Sequence, residues 1–292
     1  MSYFVQQQHT INAFASSDSW VILSPIEQSI KQKIEAVGVP LKDWDINIYR
    51  GVLTGCNEAF IINSDKRNEI LANCKDEAER KRTEELIRPI LRGRDIKRYG
   101  YNWAGLWLIN THNGIKGRIP RIDINDYPAV KAHLDQYWDK ISKRADKGDT
   151  PYNLRNCAYL EDFDKPKIMW KRIGSILRFC YNENGAFGLD STCFATGRDT
   201  EFICCLLNSP MGHYLLKDSP KTGTGDLLVS VQAIEPIRVP HISESVSLKF
   251  KSLLTNICSK IDEDQEKEIT KEIFSLYKLN SEECEYIVKN YS

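Results

Sequence analysis

The chain has no apolar run approaching the roughly eighteen residues that a membrane-spanning helix needs, and its first residues carry Gln6-Gln7-Gln8-His9 in place of the apolar stretch of a secretion signal. These absences predict a soluble, cytoplasmic protein with no membrane partner. Net charge is also missing: 40 Lys and Arg balance 40 Asp and Glu. A polyanion therefore has to be held by local asymmetry rather than by overall charge. The nine cysteines are scattered, with only Cys204 and Cys205 adjacent, and none falls in a C-x-x-C or a Cys/His pair at zinc spacing. They read as reduced thiols, and no metal ligand set is predicted. Five histidines accompany no nucleophile-elbow pattern, so nothing points to triad hydrolysis. Internal repeats and low-complexity tracts are absent as well.

What is present suits an α+β protein. At 292 residues the chain can bury a sizeable core, as one large domain or two small ones. Ser24, Pro25 and Glu27 form a capping-box start, and Ile26, Ile30 and Ile34 share one helical face until Gly38 stops it. Ile46, Ile48 and Tyr49 alternate into a strand that ends at the Gly51–Gly55 turn, and residues 59–62 are expected to pair with it as a hairpin. Helical stretches near 68–72 and 76–87 run into Pro89, which predicts an extended or looped segment after them. Further strands are expected at 103–109, 167–171, 176–181, 191–195 and 227–231, with helices at 128–137, helped by Asp126, and from Thr200 as cap to Leu207. Trp107 and Trp170 read as core aromatics. In the last fifty residues Val246, Phe250, Leu253, Leu254, Ile257 and Ile261 keep helical spacing, and Asn280 with Glu283 opens another helix.

Charge is distributed unevenly along the chain. Between Arg80 and Arg121 the cations Arg80, Lys81, Arg82, Arg88, Arg92, Arg94, Lys97, Arg98, Lys116, Arg118 and Arg121 face only Glu84, Glu85 and Asp95, whereas the tail from Lys260 onward is acidic. Reading a duplex requires cations for phosphates, forked or amide groups for base edges, and apolar wedges for distorted steps. Candidate phosphate contacts are Arg92, Arg94, Lys97, Arg98, Lys116, Arg118, Lys167, Lys171, Arg172 and Lys221. Candidate base contacts are Thr54, Asn57, Asn113, Arg172 and Arg178, and the principal surface is expected on the Gly51–Asn57 turn and the Arg92–Arg98 segment. Competing structural readings stand beside these: an Asx turn for Asn57, a strand-end charge for Lys167, and ion pairing with Asp95 for Arg94.

Two segments carry a resemblance. Arg50-Gly51-Val52-Leu53-Thr54-Gly55-Cys56-Asn57-Glu58-Ala59-Phe60 is followed by Ile87-Arg88-Pro89-Ile90-Leu91-Arg92-Gly93-Arg94-Asp95-Ile96-Lys97-Arg98-Tyr99. Together they resemble the TaqI-like C-terminal specificity domain of restriction-modification DNA methyltransferases. Tyr127-Pro128, Lys165-Pro166-Lys167, Leu206-Leu207-Asn208-Ser209 and Pro236-Ile237-Arg238-Val239-Pro240 follow in the family's order. The resemblance implies a target-recognition domain over 23–240, a helical segment over 241–292 packed on it, and residues 1–22 as a linker from a catalytic domain.

The implied activity is recognition of double-stranded DNA for an N6-adenine methyltransferase or a fused restriction-modification enzyme. By the same resemblance, the catalytic domain lies N-terminal and binds S-adenosylmethionine, in cis or in trans, and this chain is an excised fragment or a separately encoded specificity chain. The chain carries neither a Pro-Pro motif for the target amino group nor an early G-x-G turn, so no cofactor and no catalytic residue are expected on it. Thr222-Gly223-Thr224-Gly225 comes too late and lacks a Walker pattern. Two alternatives remain: a fragment of a type I restriction specificity subunit, against which the short length and missing heptads count, and a metal-dependent DNA nuclease, for which Glu79-Arg80-Lys81 offers one acid-lysine pairing.

Overall fold

A computed structural model describes residues 23–292. The expected linker over 1–22 lies outside the described residues. The fold is α+β, as predicted, and centres on two four-stranded sheets. In the first the order is Ile46–Arg50, Thr192–Gly197, Lys167–Lys171, Phe179–Asn182, all antiparallel. In the second it is Ile61–Asn63, Leu106–Ile109, Ile87–Leu91, Phe187–Gly188, with only the last pairing parallel.

The first sheet divides two hydrophobic cores, and strand alternation sorts its side chains between them. Ile168, Trp170, Phe179, Cys193 and Ala195 face a core shared with the helices Pro25–Val37 and Thr200–Asn208 and with the tail. Met169, Cys180 and Phe194 face the core of the second sheet, with Phe60, Ile90, Leu108, Val130 and Phe163. Burial on both faces explains why these strands read as short apolar runs. The tail helices Glu244–Ser259, Glu263–Leu276 and Ser281–Tyr291 contribute Phe250, Leu254, Ile257, Ile269, Ile273 and Ile287 to the first core. Glu283 ties the last helix to the helix Pro25–Val37, accepting from Ser29 Oγ and Lys33 Nζ at 2.6 Å each. Among the described residues no helix is long and apolar enough to cross a membrane.

Local expectations hold where side chains near in sequence decide them. Both capping boxes form, at Ser24/Glu27 and Asn280/Glu283. The segment at Pro89 is extended as expected: the helix Glu77–Leu86 gives way to the strand Ile87–Leu91. They fail where distant groups decide. Ile46–Arg50 pairs with Thr192–Gly197, not with residues 59–62. Ala59 and Phe60 instead close a helical turn, Asn57–Phe60, and Ile61–Asn63 joins the other sheet. Thr200 is not a cap: Asp199, with φ 57°, precedes the helix, and its carboxylate accepts from Ser247 Oγ at 2.6 Å. Helix Pro128–Asp135 gets no cap from Asp126; buried Glu79 accepts the Ala129 N–H at 2.8 Å from another helix.

Candidate nucleic-acid interface

The Gly51–Asn57 turn, expected on the reading surface, is packed. Thr54 is only 1% exposed. Its hydroxyl donates to Asn57 Oδ1 at 2.6 Å and accepts from Cys56 N, while Arg144 Nη1 donates to its carbonyl. A β-carbon on Gly51 would run into the Leu189 carbonyl. Thr54 has no free face for a base edge, and Asn57, although exposed, serves the turn. Arg144 was not singled out from sequence, yet it is the strut of this region. Its guanidinium donates to the carbonyls of Thr54, Asp146, Pro151 and Asn153 and lies 4.5 Å from the Phe60 ring centre. Burial lowers its pKa to about 10. Nothing in the spacing around Arg144 marks it, because its partners are main-chain oxygens.

The Arg92–Arg98 segment separates into scaffold and surface. Asp95 accepts from the Arg92 N–H at 2.8 Å, from Nε at 2.9 Å and from Nη2 at 2.7 Å. Burial pushes the Asp95 carboxyl up, but these bonds and the Arg92 charge outweigh it and hold the carboxyl below its ordinary value. Arg94, for which pairing with Asp95 was the competing structural reading, is exposed and makes no ion pair among the described residues. Lys97 donates to the Arg94 carbonyl at 3.3 Å. Arg98 bridges to the tail, pairing with Glu266 at 2.8 Å and donating to the Asn208 carbonyl at 2.9 Å.

Lys167 is 0% exposed, which removes it from any phosphate-contacting surface. Its ammonium donates to the Phe163 carbonyl at 2.6 Å, and burial lowers its pKa to about 8. Asn113 is spent on Asp149 and Asn156, and Arg118 pairs with Glu161. These two, with exposed Lys116 and with Arg121, line an open groove of about 760 Å³. Of the two tryptophans, Trp170 is buried and donates to the Val229 carbonyl at 2.8 Å. Trp107 is half-buried under Arg67.

The remaining candidates come together. Gly93 packs against Lys171, where a β-carbon would lie 2.7 Å from Lys171 Cγ, and its N–H donates to Ser191 Oγ. Arg172 N–H donates to the Ser191 carbonyl, and Ile173–Gly174 pairs with Leu227–Leu228, whose neighbour across the hairpin is Lys221. Arg94, Lys171, Arg172, Arg178 and Lys221 thus belong to one set of contacting loops, and none makes an ion pair among the described residues. Arg172 Nε is buried with no hydrogen-bond partner. These five cations are left without carboxylate partners among the described residues, and anions are the natural partners of such groups.

These loops lie within or against a recognisable segment. Residues 88–230 match the family model of the TaqI-like C-terminal specificity domain. That segment is a TaqI-like specificity domain. All five uncommitted cations fall inside it. Among solved structures, the type IIL restriction-modification enzyme MmeI, solved in complex with DNA, shares the fold with a TM-score of 0.59 at 12% identity. The match covers 87% of this chain and 37% of that one. The type IIG restriction endonuclease BpuSI aligns over 87% of this chain and 33% of its own, at 13% identity and a TM-score of 0.49. The chain therefore spans little more than a third of the enzymes it matches. No curated protein matches it.

A β-carbon built on Gly223 or Gly225 meets no neighbouring atom within 4 Å, so close packing does not require glycine at either position of this hairpin tip. Glu79, the acid of the nuclease alternative, is committed to the N–H groups of Lys75 and Ala129.

Proposed function

We propose that this chain recognises a sequence in double-stranded DNA as the specificity part of an N6-adenine DNA methyltransferase or a fused restriction-modification enzyme. The uncommitted set Arg94, Lys171, Arg172, Arg178 and Lys221, inside the specificity segment, carries this reading. Cations without an ion-pair partner among the described residues gain most from phosphates, and arginine forks also suit guanine edges. Methyl transfer, and S-adenosylmethionine with it, belongs to a catalytic domain that works with this one in cis or in trans. The reading fits the fold shared with a DNA-bound restriction-modification enzyme.

An anisotropy titration of the chain with fluorescent duplex DNA over a range of salt concentrations tests this. Binding at low salt, weakening by orders of magnitude at moderate salt, is the expected result. Absence of binding at low salt refutes it. Addition of the cognate methyltransferase domain is expected to restore site-specific methylation.

A further inference from the structure

Among the uncommitted cations the chain exposes one large apolar side chain. Ile176 is 61% exposed. It sits at the bend between Ile173–Gly174 and the strand starting at Phe179, next to exposed Ser175. The arm that bears it is anchored: Gly174 pairs with Leu227, and Lys221 bridges to Leu227 from the far side. The Lys171 ammonium lies over the arm's base, 3.6 Å from where a Gly174 β-carbon would be. Lys171 and Arg172 precede the tip, Arg178 follows it and Lys221 flanks it. An isoleucine held out in water offers apolar surface that a bound partner gains free energy by covering. The surrounding charge selects a polyanion as the cover and disfavours a cationic or purely apolar partner.

Resting on the function proposed above, we infer that Ile176 is a DNA-reading contact: with the flanking cations on phosphates, its side chain enters the groove and packs on the apolar surface of a base. That surface is either the methyl edge of thymine in the major groove or the face of a partly unstacked base at a flexible step.

The test compares the full chain with Ile176→Ser, Ile176→Leu and Lys221→Ala on a short duplex rich in TA and CA steps, with thermal melts to verify folding. Ile176→Ser is expected to lose about tenfold in affinity with an unchanged salt slope, because the lost contact is apolar. Ile176→Leu should retain most of the affinity, and Lys221→Ala should flatten the slope. Loss of the Ile176 advantage when uracil replaces thymine identifies the methyl edge. A 2-aminopurine fluorescence rise seen with the native chain but not with Ile176→Ser identifies the unstacked step. Wild-type binding that Ile176→Ser leaves unchanged overturns the inference alone, whereas no binding by the wild type overturns the proposed function with it.

Discussion

Asp95 holds Arg92 through both its oxygens and leaves Arg94, one residue before it, pointing into water. The pair fixes the turn Gly93–Asp95 over Lys171, so one arginine builds the platform on which the other is displayed.

Replacement of Asp95 by Asn is therefore expected to cost stability, about 2–3 kcal/mol, since a charge-assisted pair with one mostly buried partner is broken and Arg92 is left half-satisfied. Because the folded-state carboxyl lies below its ordinary value, its contribution is present above the unfolded-state pKa and is lost as pH falls through the folded one. Urea denaturation of the native chain and Asp95→Asn should converge on acidification. Parallel curves down to the acid limit would contradict this.

Arg94→Ala is expected to melt at the native temperature and to bind duplex DNA more weakly, with the log–log salt slope reduced by about one unit if the contact is to phosphate. Unchanged binding would move Arg94 off the interface. Lys171→Ala is expected to act in the same way and Arg98→Ala is not: loss of its bonds to Glu266 and Asn208 should appear in the melting curve instead.

How far the fold is legible in the sequence follows from the distance of each determinant. Ser24 and Glu27 are three residues apart, so their helix start is readable locally. The strand Lys167–Lys171 is readable too, since β-branched and aromatic residues between turn signals require nothing more. Strand partners are not, because Ile46–Arg50 chooses Thr192–Gly197 across some 140 residues, through a core that exists only after both cores form. The candidate interface shows the same limit. Residue type and local density of cations single out Arg92, Arg94, Arg98 and Lys167 alike, and only packing shows that Asp95, Glu266 and the Phe163 carbonyl have already claimed three of the four.

Glu79 offers a test of the long-range cap. Its Oε2 accepts from the Lys75 N–H at 2.9 Å and its Oε1 from the Ala129 N–H at 2.8 Å, in a fully buried position. Glu79→Gln turns one acceptor into a donor facing an N–H, and a loss of about 1–3 kcal/mol is expected. Equal stability of the variant by chemical denaturation would show that the two N–H groups find other acceptors.

Lys167 gives a prediction of opposite sign in pH. Its ammonium is enclosed between the Phe163 carbonyl and the core of the second sheet, and burial lowers its pKa to about 8. An unfolded lysine keeps a pKa near the ordinary value of about 10.4. Between these values the unfolded chain binds more protons than the folded one, so stability contributed at this site rises with pH across that window. Below it the folded protein bears the cost of a buried cation, partly offset by the hydrogen bond. Buried cysteines and tyrosines titrate in the same range with the opposite tendency, for burial pushes the Cys193 thiol up to about 11, so the native curve alone does not isolate the lysine. The difference between the native chain and Lys167→Met does. Met fills the volume without a charge, and Lys167→Met is expected to be most stabilised relative to the native chain near neutral pH and to lose that advantage progressively as pH rises from about 8 toward 10. Urea denaturation midpoints measured for both chains across this range decide it: a difference that does not vary with pH would mean that Lys167 reaches water in the folded state.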